Sequence, residues 1–226
     1  VSTTHPLEDI FLFSEYKDKL ITGRERGVAK ISWSPGVKSD GSLAIHDFGD
    51  DMPHLVIAGS SGSGKSVLIY SMYLQLSANN HPEDLEFWLI DPKIGLQQLG
   101  RSENTGQGRF VDSWSHGDGN FYIACRDMLK DAVDEMARRN GIFNKKMQEL
   151  EDNAADGELV PVIDKLAVAR SIGIKEGPLP DGSPNPLVQP YIVIIIDECA
   201  LLFTPSTNKE VKDLQAEILF HASRLA

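Results

Sequence analysis

The stretch MPHLVIAGSSGSGKSVLIY, Met52 to Tyr70, decides the fold of this 226-residue chain. Its first part, Leu55–Ala58, is a short apolar run typical of a buried strand. A glycine-rich loop follows, and a run with helical spacing begins at Lys65. A strand, a loop and a helix in that order predict the opening of an α/β domain.

The loop, Gly59-Ser60-Ser61-Gly62-Ser63-Gly64-Lys65-Ser66, fits the pattern GxxxxGK[ST], whose backbone N–H groups surround phosphate oxygens. The helix that follows adds the positive end of its dipole. Lys65 is expected to reach the β- and γ-phosphates of ATP as a catalytic residue, and the Ser66 hydroxyl to bind Mg²⁺. A flexible Gly/Ser turn is the alternative, and the apolar runs on both sides argue against it. The predicted nucleotide-binding residues are Gly59, Ser60, Ser61, Gly62, Ser63, Gly64, Lys65, Ser66 and Val67.

A second run, Tyr191–Ile196, is apolar, rich in β-branched residues and followed by Asp197 and Glu198. It predicts a fully buried parallel strand that brings two carboxylates to the carboxyl edge of a sheet. Beside a phosphate loop, Asp197 is expected to support the metal, and Glu198 to activate the attacking water as a general base. An apolar strand ending in acids is common by itself, so this assignment depends on the loop. We predict that both pieces converge on one triphosphate and its Mg²⁺.

Between the two runs the sequence alternates helix-like and strand-like patterns. It predicts a helix from Lys65 to about Ala78, a buried strand over Leu85–Ile90, and a long helix from about Phe121 to Leu150. A helix that joins two strands implies parallel pairing and a right-handed connection. Asp91 ends the second strand on the side where α/β sheets bind ligands. It is either a site residue or an acid that caps a loop.

Basic residues gather in the far half of the long helix. They are Arg138, Arg139, Lys145 and Lys146. A solvated helix face is the simplest interpretation, and contact with a phosphate or a neighbouring subunit is the alternative.

Composition and charge exclude several classes of protein. The net charge of −11, from 22 basic and 33 acidic residues, argues against binding nucleic acid through general basicity. Cys125 and Cys199 lie in apolar settings without metal-ligand spacing, and we expect both in the core. The six histidines are scattered, so we predict no zinc site. No apolar run reaches the length of a membrane span, and a cytoplasmic location is expected.

The chain is predicted to divide near residue 50. Residues 1–50 contain β-like pieces at Ile10–Phe13, Val28–Trp33 and Leu43–Phe48, with a hairpin signal at Asp40-Gly41. Residues 51–226 are expected to form the α/β domain, interrupted by loop insertions at about 101–120 and 151–190. The second insertion is rich in proline, glycine and acidic residues, so we expect partial disorder there.

Four blocks together resemble the motor domain of the FtsK/SpoIIIE family of bacterial DNA translocases. In order they are MPHLVIAGSSGSGKS, LEFWLIDPK, VDEMARRNGIFNK and QPYIVIIIDECALL. The resemblance covers most of residues 50–226, and Asp-Pro-Lys after the second strand is its most specific feature. It implies a RecA-like P-loop NTPase core with a mainly parallel sheet flanked by helices, preceded here by the small β-rich segment.

The resemblance also implies cofactors and partners. These are ATP and Mg²⁺, a hexameric ring with ATP sites between subunits, double-stranded DNA in the pore, and a longer parent chain that can carry a membrane anchor. Arg224 is the candidate for an arginine finger donated to a neighbouring subunit, although the finger could also lie beyond Ala226. Leu201 departs from the family pattern, which often has an acid there, and the γ-phosphate sensor strand and the winged-helix module are not present.

Other functions remain open at this point. A type VII-like secretion ATPase acting on protein substrates would share these motifs, and the overall acidity favours it slightly. A ring component that binds nucleotide but hydrolyses it slowly is a further alternative, and the motifs alone do not exclude a small-molecule kinase. Against the secretion ATPase, Asp91-Pro92-Lys93 favours the translocase.

Overall fold

The computed structural model of the chain describes residues 29, 31–49, 52–93, 107–155 and 159–225. The predicted piece Ile10–Phe13 lies outside them. The strands are β1 (Ser32–Val37), β2 (Leu43–Asp47), β3 (Leu85–Asp91), β4 (Gln107–Asp112) and β5 (Tyr191–Ile196). The helices are α1 (Lys65–Asn79), α2 (Ser113–Asn153), α3 (Leu166–Glu176), α4 (Cys199–Leu202) and α5 (Lys209–Leu225).

A three-stranded sheet carries the acidic residues, in the order β4-β3-β5. The backbone N–H of Tyr191 donates to Asp84 O at 2.9 Å, and that of Asp197 donates to Ile90 O at 3.0 Å. The partners advance in the same direction along both strands, so β3 and β5 are parallel. The predicted α/β class with a parallel sheet and flanking helices is therefore confirmed.

Strand β5 is less buried than its sequence predicts. Five of its six residues are half-buried, and Ile195 alone is buried. Within the described residues β5 has a neighbour only on the β3 side. An edge strand covers less of its apolar surface than a central one, so the expectation of full burial was wrong.

The described residues form two compact units whose boundary crosses β3 after Phe87 and β5 after Val193. The first unit holds the hairpin, the glycine-rich loop, α1 and the first parts of β3 and β5. The second holds the remaining parts of those strands and the later helices.

In the first unit, helix α1 packs against the β1–β2 hairpin and against β3. The Gln75 side-chain amide accepts a hydrogen bond from the Ser34 N–H and donates one to the Ser34 carbonyl, both at 2.9 Å. These are the two backbone bonds that a residue of a neighbouring strand would make. The rings of Tyr73 and Phe87 lie 4.4 Å apart, and both are buried. The predicted hairpin is confirmed, with Gly41 at φ 82° in its turn.

In the second unit, residues 159–190 pack on α2. A core cluster joins Phe143 of α2 to Ile163, Ala169 and Leu187 of this segment. Lys146 forms an ion pair with Glu176 at 2.5 Å. The apolar residues among the prolines and acids thus find a surface on α2, and the expectation of partial disorder was wrong for these residues.

Three local predictions differ from the structure. Leu55–Ala58 is not a strand: Val56 is 88% exposed, and these residues pair with no strand that the structure describes. The long helix begins at Ser113 rather than near Phe121. Cys199 is exposed because it opens α4 just beyond the sheet, whereas Cys125 is buried as predicted, and burial raises its pKa to about 12.

Candidate functional site

The glycine-rich loop belongs to the first unit and is shaped by its glycines. Gly62 and Gly64 have φ values of 77° and 96°, in the left-handed region that residues with a Cβ rarely adopt. Gly59 is required for a different reason, because a Cβ there would lie 2.4 Å from Ser63 Oγ. The turn is closed by the Ser63 N–H, which donates to Ser60 O at 3.2 Å.

Helix α1 starts at Lys65, directly after Gly64. Its first i to i−4 bond runs from the Leu68 N–H to Gly64 O at 3.0 Å, so the N–H groups of Lys65, Ser66 and Val67 precede the helical ladder. The predicted start of the helix at Lys65 is confirmed. Val67, which is among the predicted nucleotide-binding residues, is 72% exposed.

The Lys65 side chain folds back over its own loop. Its Nζ donates to Gly59 O at 2.7 Å and to Ser60 O at 3.2 Å. These bonds satisfy two carbonyl acceptors of the loop. A phosphate that enters the loop would compete with those carbonyls for the ammonium. The Lys65 ammonium therefore already lies beside the first residues of the loop, Gly59 and Ser60.

The acidic residues belong to the second unit, at the carboxyl ends of β3 and β5. Asp91 is fully buried, and its Oδ1 accepts the Lys93 N–H at 3.0 Å. This bond matches the prediction of an acid that caps a loop. Asp197 is also buried, and its Oδ1 accepts the N–H of Glu198 at 2.8 Å. Asp91 and Asp197 thus lie at the same edge of the sheet, where parallel strands β3 and β5 end.

Glu198 has a backbone conformation that the sequence does not predict. Its φ and ψ are 44° and 43°, left-handed values, and it precedes α4 as the N-cap residue. Its carboxylate lies 3.1 Å from Lys93 Nζ, and this lysine follows β3. Sequence reasoning singled out Asp91-Pro92-Lys93 but did not predict the contact between Lys93 and Glu198, because no pattern in either segment encodes it.

The two arginines on α2 hold the segment that leads into β5. Arg139 donates to Glu135 Oε1 at 2.6 Å and to the Pro190 carbonyl at 2.7 Å. Arg138 donates to both Glu135 carboxylate oxygens and to Gln189 Oε1 at 2.9 Å. The arginines share one carboxylate and lower the pKa of Glu135 to about 2, with the Arg138 hydrogen bond as the largest cause. Arg139 therefore packs against the chain before β5, whereas Arg138 and Lys145 stay exposed, as a solvated helix face predicts.

The remaining features concern Arg224, metal-ligating side chains and membrane-spanning helices. Arg224 is exposed near the end of α5, with its guanidinium 5.9 Å from the Phe220 ring. Among the described residues, no group of three or more His, Cys, Asp or Glu side chains is placed to hold a metal ion. None of the helices that the structure describes is long and apolar enough to cross a membrane.

Sequence comparison identifies the family. The FtsK/SpoIIIE family model matches residues 24–226. The protein named DNA translocase FtsK of Haemophilus influenzae is 31% identical over 233 residues, covering 94% of this chain and 37% of that protein. The DNA translocase FtsK of Lactiplantibacillus plantarum is 32% identical over 189 residues, covering 76% of this chain and 18% of that protein. The chain therefore spans well under half the length of these relatives.

Structure comparison supports the fold. The cytoplasmic domain of the type VII secretion ATPase EccC from Thermomonospora curvata superposes with a TM-score of 0.63, at 20% identity, over 100% of this chain and 23% of that protein. At this identity the likeness concerns the fold alone. The family match covers most of the sequence, including the glycine-rich loop and the acidic strand, and the chain belongs to the FtsK/SpoIIIE family.

Proposed function

We propose that this chain is the ATP-hydrolysing motor part of a DNA translocase. The observation that carries the proposal is the start of α1, where two left-handed glycines and an exposed loop lead directly into Lys65 and Ser66. A glycine-rich loop that leads directly into a helix N-terminus is an arrangement that binds phosphate groups in P-loop enzymes. Membership of the FtsK/SpoIIIE family agrees with it.

The residues of the loop fit a nucleotide and Mg²⁺. A Cβ at Gly59 would fill the turn, so the backbone there approaches other groups closely. The N–H groups before the helical ladder and the Lys65 ammonium supply donors for phosphate oxygens, and the Ser66 hydroxyl supplies an oxygen ligand of the kind that Mg²⁺ accepts. Mg²⁺ keeps several waters and needs few protein ligands, so a site in which Ser66 and Asp197 would hold it needs no larger cluster of carboxylates. When bound, Mg²⁺ would neutralise charge on the phosphates.

Each residue then has one role in hydrolysis. The loop N–H groups and Lys65 would bind and orient the phosphates, and Ser66 and Asp197 would hold the metal. Glu198 accepts a proton from water while the water oxygen bonds to the γ-phosphorus and the bond to the bridging oxygen breaks, leaving ADP and phosphate. An arginine finger from a second copy, for which Arg224 is the candidate, would stabilise charge on the transferred group.

The proposed partners are duplex DNA and further copies of the chain in a hexameric ring. The relatives named DNA translocase FtsK favour DNA over a protein substrate. The net charge of −11 requires that any DNA contact be local, and such binding weakens steeply as salt rises.

The test is an ATPase assay with and without duplex DNA at low and high salt. We expect DNA to stimulate turnover at low salt, high salt to remove the stimulation, and Lys65→Ala to abolish turnover. A hexameric preparation whose turnover ignores DNA but responds to an exported peptide would instead assign the chain to secretion. Turnover that persists in Lys65→Ala would contradict the nucleotide site itself.

A further inference from the structure

Glu198 is held in a conformation that it would not adopt alone. It is the one non-glycine residue with a positive φ among the residues the structure describes. Left-handed backbone is unfavourable for a residue with a Cβ, so neighbouring contacts must maintain it. Its N–H donates to Asp197 Oδ1 and its carbonyl accepts the Leu201 N–H, each at 2.8 Å. The backbone of Glu198 is thus fixed on both sides.

The side chain of Glu198 is held from the neighbouring strand. Lys93 Nζ lies 3.1 Å from Glu198 Oε1, and the Lys93 N–H donates to the buried carboxylate of Asp91. The turn after β3 therefore has a fixed backbone from which the lysine extends. The Lys93 side chain is 54% exposed and that of Glu198 is 31% exposed. An ion pair this accessible to water is weak and opens readily.

We propose that Lys93 is a positioning residue that restrains Glu198, and that ATP hydrolysis requires this ion pair to open. The inference rests on the proposed function, in which Glu198 receives the proton of the attacking water. The ammonium holds one of the two carboxylate oxygens, Oε1, and draws the carboxylate toward the turn after β3, so the pair restricts how Glu198 can meet the attacking water. Any movement of the turn after β3 then changes the fraction of molecules in which Glu198 is available. Lys93 thereby links the end of one strand to the reactive residue at the end of the next.

The first experiment compares ATP turnover in wild type, Lys93→Met and Lys93→Arg, without DNA. Lys93→Met should raise kcat about two- to fivefold with KM for ATP unchanged, because removing a weak exposed pair gives a small effect. Lys93→Arg should retain the wild-type value, since it keeps the charge. Lys130→Met is the matched control, because Lys130 is equally exposed and pairs with Asp134 at 2.7 Å on α2. An unchanged or lower kcat in Lys93→Met overturns the proposal.

A second measurement needs no nucleotide. The melting temperatures of Lys93→Met, Glu198→Gln and the double variant form a thermodynamic cycle. If Lys93 and Glu198 interact, each single variant already loses the ion pair, so the double variant should melt close to either single variant. Additive losses would show that the two side chains do not interact. Failure of the proposed function has a different signature: Glu198→Gln would then hydrolyse ATP as fast as wild type, whatever the cycle gives.

Discussion

The glycine-rich loop of the first unit and the acidic sheet edge of the second, called here the loop half and the acidic half, are built by different means. The glycine-rich loop is exposed along Gly59 to Gly64, and its shape depends on backbone torsions. The acidic edge depends on burial, because Asp91 and Asp197 lie inside at the ends of paired strands. Local residue types specify the loop, whereas packing and strand pairing specify the acidic edge. Mutations should therefore affect the two halves in different ways.

The largest expected effects separate nucleotide binding from turnover. Glu198→Gln should lower kcat about 10²- to 10⁴-fold while ATP affinity changes little, because a general base acts only on the reacting water. Lys65→Ala should lower both affinity and turnover, since the ammonium contacts the phosphates in the bound state and in the transition state. Fluorescent-nucleotide titration and single-turnover hydrolysis measure the two quantities.

Lys38→Ala is the control for these variants, because Lys38 is an exposed lysine in the hairpin turn. It should match wild type in both assays. If Glu198→Gln weakened ATP binding as much as Lys65→Ala does, the division of roles between the two halves would be wrong.

A smaller effect is expected from the close approach inside the loop. In Gly59→Ala the new Cβ meets Ser63 Oγ at 2.4 Å and Ser63 Cβ at 3.3 Å. The Ser63 hydroxyl must move out of the turn to make room, so ATP affinity should fall about three- to tenfold, near the 1.4 kcal/mol that a factor of ten represents. Titration of ATP measures the loss.

The double variant Gly59→Ala, Ser63→Ala tests the cause of that loss. Removing Oγ eliminates the shortest contact, so part of the affinity should return. If affinity did not recover, the contact with Ser63 Oγ would not be the cause of the loss, and Gly59 would matter for another reason.

The sequence predicted local backbone features and missed features that depend on strand pairing and tertiary contacts. The start of α1 at Lys65 and the hairpin at Asp40-Gly41 follow from local rules on glycine and turn residues. The strand expected at Leu55–Ala58 is not formed, because a strand needs a partner that local sequence does not supply. The left-handed backbone of Glu198 and its contact with Lys93 depend on tertiary structure, and no local pattern marks them.

The Arg139 contacts should matter more for stability than those of Arg138. The Arg139 side chain is 12% exposed and donates to the backbone of Pro190, immediately before β5, whereas the Arg138 side chain is 48% exposed. Arg139→Ala should lower the free energy of unfolding by about 1.5–3 kcal/mol, the range for hydrogen bonds to charged groups. Arg138→Ala should cost about 1 kcal/mol or less, as an exposed ion pair does.

Urea unfolding of both variants measures these losses, and ATP binding reports on the loop half. Since Arg139 acts on the acidic half, Arg139→Ala should leave ATP affinity unchanged at temperatures where the protein is folded. Equal losses of stability for the two arginine variants would contradict the assignment of Pro190 as the important partner.

The smallest effect is the pH dependence that Glu135 contributes. Arg138 and then Arg139 lower its pKa from 4.5 to about 2 in the folded chain. The unfolded chain therefore takes up the proton first as the pH falls, and stability is fully present above pH 4.5 and lost progressively toward pH 2. Because the pair is partly exposed and screened, we expect the contribution to be about 1 kcal/mol at neutral pH. In Glu135→Gln the fall in stability across this window should be shallower than in wild type.

Thermal unfolding at pH 6, 4 and 3 at constant ionic strength measures this slope. Asp134→Asn is the control: Lys130 also lowers the pKa of Asp134, but the Asp134 side chain is 61% exposed and contacts no residue of the segment before β5 in any hydrogen bond or ion pair described for it. Its removal should flatten the curve less than Glu135→Gln does, because so exposed a pair contributes less to stability. If Asp134→Asn flattened the curve as much as Glu135→Gln, the acid sensitivity would come from the general charge of α2. If only Glu135→Gln flattened it, the sensitivity would come from the contacts that anchor the start of β5, the strand that carries Asp197 and Glu198.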